Sequence, residues 1–350
     1  MSNKEQNRKT DKDKRVNLNK LVLHPSFKDM VTEIKKVNIT ITEPAKKGEF
    51  DFSNSTFPPN GKLRKIEELA AYDLNAKNGQ KISREYDFTG YDESILNYMS
   101  LEGSAAFTAH SLVIASKEDY IPVNFLSFYF YTRSENLKKQ HSLLTHVIDP
   151  NSQSNRDYVE DRNLFLGQWS LDGSISFIDG PLIGGNITTY TLDMVKSLHK
   201  QSIIPIFIVK NSDSNLVTDN IAELRNQYNS DMHWSYHFLS RGQRTNFFLY
   251  IDESSPKNAK VFCYIKAFNL SPQRIEFHVD TYKNHKDKID ELMDLTYYLF
   301  LAHGDKKNPQ VRPIAVAEKF ARDVLQMSDS YNLIKSSGLI PTMNQERFGG

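Results

Sequence analysis

The sequence has almost no cysteine, no long apolar run and almost no net charge. A single cysteine among 350 residues, Cys263, excludes an intramolecular disulfide and a zinc site built from cysteines. No segment reaches the ~18 apolar residues that a membrane-spanning helix needs, and the polar start of the chain lacks the apolar core of a secretory signal. These absences predict a cytoplasmic protein that does not associate with membranes.

The balance of positive and negative charge excludes a second class of protein, one with a strongly basic surface. Lys and Arg number 44 and Asp and Glu number 43, so the net charge is +1. A surface coated with positive charge for nucleic-acid binding is therefore excluded, whereas a local basic channel is not. The chain also lacks the GxxxxGK[ST] motif that cradles phosphates, so any use of ATP would have to come from a partner.

Composition and hydrophobic periodicity divide the chain into four parts. The first residues are polar, locally basic and too poor in apolar side chains to offset the entropy of folding. The predicted parts are a disordered tail at 1–20, a partly helical N-terminal extension at 21–90, a main domain at 91–330 and a C-terminal tail at 331–350.

The main domain alternates strand and helix patterns. Two apolar segments flank Glu102-Gly103-Ser104, which predicts a β-hairpin. The order of elements predicts an α/β fold with a mixed sheet. The predicted strands are 95–101, 105–116, 122–132, 174–182, 203–210, 247–251, 261–268 and 274–279; the predicted helices are 62–76, 134–170, 191–201, 216–228, 288–302 and one that starts at Pro313.

An acidic residue, Asp179, follows the apolar strand SISFI and precedes Gly180-Pro181. Gly permits close approach of a ligand and Pro ends the strand, so Asp179 is expected at the edge of the sheet, where α/β folds build sites. The alternative is a turn aspartate that accepts hydrogen bonds from nearby N–H groups. Asp172, which precedes Gly173, is assigned to a hairpin turn.

Glu102 repeats this pattern, because an acidic residue again follows an apolar strand and precedes Gly. We predict that Glu102 and Asp179 lie close together and bind a hard divalent cation, Mg²⁺ or Mn²⁺. Glu160 or Asp161 is a candidate for a further ligand, and an exposed acidic helix face is the alternative for both.

Three further charged residues follow or interrupt buried strands. Lys210 ends an apolar strand and is a candidate to neutralise phosphate charge, or simply a solvated loop residue. Arg274 and Glu276 share one strand face, which either lines a cleft, with Arg274 on a phosphate, or is a solvated edge. His233 and His237 have helix-ligand spacing, but no third ligand is near them in the sequence.

Four segments, in this order, resemble the NurA nuclease family. FIDGPL at 177–182 is similar to a strand end with the pattern Asp-Gly-(Ser/Pro)-Leu, and IIPIFIVKNSDS at 203–214 is similar to the next strand, with its Lys-x-Ser. The strands over 247–277, which close on Arg-x-Glu, and the Pro-led helix at 312–324 complete the resemblance, which covers about residues 90–326.

The resemblance implies an RNase H-like mixed sheet flanked by helices, with Asp179 as a metal-binding carboxylate. Glu102 would take the place of the family's first aspartate, and Glu160 or Asp161 that of an intermediate acidic ligand. The family usually has Ala-His in the final helix; this chain has Ala-Glu, so Glu318 would replace the imidazole.

The resemblance also implies a Mn²⁺- or Mg²⁺-dependent DNase. It would act as a homodimer with a HerA-type hexameric DNA-translocating ATPase, in DNA end processing or defence against phage. Because Glu102 and Glu318 depart from the family pattern, a catalytically inactive adaptor that binds the ATPase and DNA is the second hypothesis. An unrelated α/β binding module is the third.

Overall fold

The computed structural model describes residues 26–37, 62–116, 119–139, 144–146, 150–252, 255, 258–305, 308–340 and 342. The chain divides into two compact units, residues 1–46 and 47–350. Within the first unit the described element is a helix with Asp29 in its first turn and Lys35 and Lys36 in its last, which complements the helix dipole. The tail predicted at 1–20 lies outside the described residues, as do positions 341 and 343–350 of the tail predicted at 331–350.

The described residues form helices and strands with the following bounds. The helices are α1 Ser26–Lys36, α2 Ala76–Ile82, α3 Glu135–Lys138, α4 Pro150–Trp169, α5 Thr188–Lys200, α6 Asp231–Phe238, α7 Val279–Asn284, α8 Ile289–His303, α9 Arg312–Met327 and α10 Ser330–Ser336. The strands are β1 Leu63–Lys65, β2 Ala71–Asp73, β3 Phe88–Met99, β4 Ser104–Ser116, β5 Asp119–Thr132, β6 Leu144–His146, β7 Ile175–Asp179, β8 Ile204–Val209, β9 Gln243–Thr245, β10 Phe248–Ile251, β11 Ala259–Lys266 and β12 Gln273–His278.

All of these strands join one mixed sheet, which confirms the predicted α/β fold. The strand order is β1-β10-β11-β12-β8-β7-β3-β4-β5-β6, with β9 paired to β11 and β2 paired to β9. The neighbours β8, β7 and β3 are parallel, and antiparallel strands continue the sheet on both sides of them. The predicted hairpin is also confirmed, because Met99 of β3 pairs with Ser104 of β4.

Helices cover both faces of the sheet, and alternate residues of each strand separate the two cores. Phe177 packs with Ile208 and with residues of α8 and α9 such as Phe300. Its neighbour Ile178 points to the other face, where it packs with Leu198 of α5. The predicted layer arrangement, a mixed sheet flanked by helices, is therefore present.

Two predicted helices are wrong. Residues 62–76 instead contain β1 and β2, because Leu63 is fully buried and pairs with Tyr250, and the next helix, α2, starts only after Asn75 caps it. Residues 216–228 form successive turns, although the inward positions predicted there are indeed buried. Asn226 has a φ of +64°, which an α-helix does not accommodate.

The stretch predicted as a long helix over 134–170 is only partly helical, since β6 lies between α3 and α4. Asp172-Gly173 is a turn, with Gly173 at a φ of +73°, but it joins α4 to β7 and closes no hairpin. Among the described residues, no helix combines the length and apolar character needed to cross a bilayer.

Candidate active site

Three adjacent parallel strands end at the same edge of the sheet. Tyr91 of β3 pairs with Ile178 of β7, so the next residues along, Asp92 and Asp179, are neighbours. Asp179 in turn pairs with Ile208 of β8. Lys210 lies two residues beyond Ile208 and therefore points to the same face of the sheet. Local strand order thus brings two carboxylates and one ammonium group together.

Helix α9 adds a third carboxylate. Its first turn packs so closely on β3 that a Cβ atom on Gly90 would lie 2.3 Å from the carbonyl carbon of Pro313. Pro313 suits this position because Pro is well tolerated at the start of a helix. The close approach holds Glu318, further along α9, against the ends of the strands.

The ammonium group of Lys210 lies at the point where the three carboxylates converge. Its Nζ is 3.0 Å from Asp179 Oδ2, 3.2 Å from Glu318 Oε2 and 3.5 Å from Asp92 Oδ2. The side chains are mostly enclosed: Asp92 is 9% exposed and Asp179 is 24% exposed. Glu318 also accepts hydrogen bonds from Gln310 and Arg322.

Burial and mutual repulsion change the acidity of this cluster. Burial, and then the neighbouring Asp179, raise the pKa of Asp92 to about 8, despite the attraction of Lys210. Burial also raises the pKa of Asp179. Glu318 differs: burial would raise its pKa, but hydrogen bonding from Gln310 and the charge of Lys210 lower it below the usual value. Burial would lower the pKa of Lys210, but Asp179 and Asp92 raise it.

Arg274 and Glu276 lie on the opposite face of the sheet. Ile275, between them, packs in the core under α8, so its two neighbours point away from that core and from the carboxylate cluster. Glu276 is 0% exposed and Arg274 is 5% exposed. The structure confirms that they share a face, but it places them in neither a solvated edge nor the cluster.

Glu102 does not approach Asp179. Glu102 lies beyond Met99, the last residue of β3. Met99 is seven residues from Asp92, and at about 3.3 Å per residue this distance is roughly 23 Å along the strand. Its carboxylate accepts a hydrogen bond from the amide of Ile340. The prediction that Glu102 and Asp179 share an ion is therefore wrong, and Asp92 occupies the position assigned to Glu102.

Glu160 and Asp161 lie on α4, which packs on the face of the sheet opposite the carboxylate cluster. Glu160 is exposed, with its Oε1 3.6 Å from Nε of Arg156. Asp161 accepts hydrogen bonds from Ser127 and Tyr129 of β5. The structure thus brings neither residue to Asp179, so neither can complete a ligand set with it.

Asp92 is the site residue that sequence reasoning missed. The predicted strand starts at Ile95, whereas β3 begins at Phe88. The available signal was FTGYDESI, in which an aspartate follows an aromatic residue and a glycine inside a strand that extends in both directions. Its pairing with β7, more than 80 residues later, is not visible in a single sequence.

The donor set at this edge has the chemistry of a hard-cation site. Carboxylate oxygens are the ligands that Mg²⁺ and Mn²⁺ prefer, and three of them point at one position, that of Lys210 Nζ. In the described part of the chain, no three His, Cys, Asp or Glu side chains already have metal-site geometry. Asp92, Asp179 and Glu318 are the residues that could hold a divalent cation, which would have to displace the ammonium group of Lys210.

Fold and site together define an α/β protein with a carboxylate–lysine cluster at the ends of parallel strands. Neither a family model nor a curated protein matches the chain. The NurA nuclease from Sulfolobus solfataricus is similar in structure, with 12% identity over 77% of this chain and 88% of that one, and a TM-score of 0.45. This is the family that the sequence motifs resembled.

Two endonuclease V structures are also similar. For the protein from Bacillus subtilis, the identity is 9% over 73% of this chain and 91% of that one, with a TM-score of 0.38. For the protein from Ciona intestinalis, in complex with a DNA that contains inosine, the identity is 12% over 72% of this chain and 95% of that one, with a TM-score of 0.33.

Proposed function

We propose that this chain is a divalent-cation-dependent nuclease that hydrolyses DNA phosphodiesters. The observation that carries the proposal is the convergence of Asp92, Asp179 and Glu318 on one point at the ends of adjacent parallel strands. Three carboxylates whose ionised forms repel one another are costly to a fold, and such arrangements cluster at functional sites. A cation and a phosphate are the partners that this arrangement suits.

The proposed roles follow from position and charge. Asp92, Asp179 and Glu318 would hold Mn²⁺ or Mg²⁺, which when bound supplies Lewis-acid chemistry toward a phosphodiester oxygen. Lys210 donates hydrogen bonds to the phosphate and offsets the negative charge that develops on it. Without a cation, Asp92 retains a proton at neutral pH because its pKa is raised to about 8.

The biological setting is proposed from the resemblance to NurA nucleases alone. The chain would form a homodimer and act on DNA ends supplied by a HerA-type hexameric ATPase, either in end processing or in defence against phage. Because the sequence has no phosphate-binding P-loop of its own, this partner would hydrolyse the ATP.

The experiment is DNA degradation by the purified protein with Mn²⁺ or Mg²⁺, alone and with a HerA-type ATPase. Asp179→Asn is expected to lower the rate by at least ~100-fold, as for the loss of a charge-stabilising group. Asp172→Asn, a turn aspartate with no contact to the cluster, is the matched control and should cut like the parent. Equal rates for the Asp179 variant and the parent would contradict the proposal.

One observation favours a second candidate, a catalytically inactive adaptor that binds DNA and the ATPase. Lys210 and Arg322 already supply two positive charges to the cluster, and Asp92 retains a proton at neutral pH, so the cluster is balanced without a metal. The adaptor hypothesis predicts binding to both partners, no cleavage with either ion, and full biological function of Asp179→Asn. Metal-dependent cleavage that is lost in Asp179→Asn would exclude it.

A further inference from the structure

We infer that Arg274 and Glu276 are positioning residues, which hold, from the opposite face of the sheet, the two loops that follow Asp179 and Lys210. The inference rests on the proposed function only for its catalytic consequence. The tether itself is a set of buried hydrogen bonds and ion pairs that can be tested without any activity.

Glu276 holds the loop that follows Asp179. Its Oε2 accepts a hydrogen bond of 2.8 Å from the backbone N–H of Leu182, three residues after Asp179. The turn between them contains Gly180, at a φ of +98°, whose N–H donates to the carbonyl of Ile208. The carboxylate of Glu276 therefore fixes the far end of the turn that presents Asp179.

Arg274 holds the loop that follows Lys210. Its Nη1 donates to Oγ of Ser212 at 2.7 Å and to Oγ of Ser214 at 2.6 Å, and these hydroxyl groups lie 2.9 Å apart. The same loop is held at its end by the N–H of Asp231, which donates to the carbonyl of Ser214. The guanidinium therefore fixes the backbone two to four residues after Lys210.

The two tethers form a single buried unit. Nε of Arg274 lies 2.6 Å from Oε1 of Glu276, and Nζ of Lys260 lies 2.6 Å from the same oxygen. Burial alone would raise the pKa of Glu276, but Lys260 and Arg274 lower it, so the carboxylate stays ionised and accepts all of these bonds. A shift of either loop must disturb the other through this pair.

Neither residue can touch a substrate bound at the carboxylate cluster, because both point to the other face of the sheet and are enclosed there. Their effect on chemistry must act through the 3.0 Å contact between Lys210 Nζ and Asp179 Oδ2. Misplacing a reacting group by about 1 Å can lower the reaction rate by about 100-fold.

The test compares Arg274→Met with Lys260→Met. Each variant removes one cation from Glu276 in the same buried setting, but only Arg274 contacts the serines. Ser212→Ala/Ser214→Ala removes the acceptors without altering the buried ion pair, and it covers the case in which Arg274→Met fails to fold. Glu276→Gln weakens the acceptor for Leu182. Amide hydrogen exchange over 180–184 and 210–216 is measured for each variant, together with kcat and KM on DNA.

Exchange at 210–216 is expected to rise about tenfold in Arg274→Met and in the double serine variant, as for the loss of a charge-assisted hydrogen bond, and to stay near the parent in Lys260→Met. Exchange at 180–184 is expected to rise in Glu276→Gln. The same three loop-releasing variants should lower kcat about tenfold with KM nearly unchanged.

Equal exchange rates at 210–216 in Arg274→Met and Lys260→Met would overturn the inference. Exchange rates at 210–216 that stay at the parent's values in the double serine variant would also overturn it. A parent protein that cleaves no DNA with either ion would count against the proposed function instead. In that case the exchange comparison alone decides whether the tether exists.

Discussion

Pro313 contacts Gly90 so closely that no side chain fits between α9 and β3. Gly90 lies two residues before Asp92 on the same face of its strand, and Pro313 lies five residues before Glu318 on its helix. This one contact therefore sets the separation of two of the three carboxylates. The geometry of the site therefore requires glycine at position 90, because a Cβ atom there would collide with α9.

Gly90→Ala should push α9 away from the sheet. We expect a loss of about 1–3 kcal/mol in the free energy of unfolding, typical of overpacking, and a loss of any metal-dependent activity. Gly167→Ala is the matched control, because the added Cβ would meet only Ser197, at 3.8 Å, and Ala favours the helix. Urea denaturation measures both, and a Gly90 variant as stable and active as the parent would show that α9 can shift without consequence.

Asp92→Asn should separate folding from cation binding. Because the Asp92 carboxyl is largely protonated at neutral pH, a neutral amide should fold as well as the parent. Mn²⁺ at about 100 times its dissociation constant should stabilise the parent by about 2.7 kcal/mol and leave Asp92→Asn almost unchanged. Thermal denaturation with and without Mn²⁺ measures this effect. Asp172→Asn should keep the full stabilisation, and an equal shift in the Asp92 variant would place the cation elsewhere.

Lys210→Met should remove the cation that faces Asp92, Asp179 and Glu318, and within the described part of the chain only Glu318 of these three then keeps an ion pair, with Arg322. Without metal, we expect a loss of about 1–3 kcal/mol in the free energy of unfolding, allowing for partial solvent screening of the cluster, and Mn²⁺ should restore most of it. Lys196→Met removes an exposed pair with Asp193 and should change stability by less than about 0.5 kcal/mol. A Lys210 variant that Mn²⁺ does not rescue would argue that the ammonium group and the cation do not compete for one position.

His110 should make stability depend on pH. Burial, with a smaller effect of Arg162, lowers the pKa of its imidazole to about 4, and its Nδ1 is paired with the hydroxyl of Tyr91. Between pH 6.5 and pH 4 the unfolded chain binds a proton that the folded chain does not, so stability falls as the pH falls. The resulting loss in the free energy of unfolding approaches about 3 kcal/mol at pH 4. In His110→Gln this part of the pH dependence should vanish; a parallel pH profile would show that other groups cause it.

Asp179 and Lys210 were identifiable from the sequence because their signal is local: an apolar strand ends, and a charged residue follows it. The same local signal misled at Glu102, where it marks a hairpin turn. Asp92 was missed because its role depends on the register between β3 and β7, which distant residues determine. Alternation correctly placed Arg274 and Glu276 on one face, but it could not tell which layer covers that face.

The segment 216–228 shows a similar division between pattern and conformation. Its apolar spacing correctly predicted that Ile221, Leu224 and Tyr228 are buried. The backbone departs from a helix where Asn226 has a φ of +64°, which lies outside the helical region. Side-chain burial could be predicted from the sequence, whereas the left-handed conformation of one residue within the pattern could not.

Glu102, although remote from the carboxylate cluster, has a consequence of its own. Three hydrogen bonds hold the tip of the β3–β4 hairpin to the segment after α10. The N–H of Leu101 donates to the carbonyl of Ile340, and the N–H of Thr342 donates to the carbonyl of Met99. The carboxylate of Glu102 accepts a hydrogen bond from the N–H of Ile340. The last of these hydrogen bonds joins residues that are 238 positions apart in the chain. A local unfolding event that breaks these hydrogen bonds would release the hairpin tip and the segment after α10 as one cooperative unit, and it would leave the centre of the sheet intact.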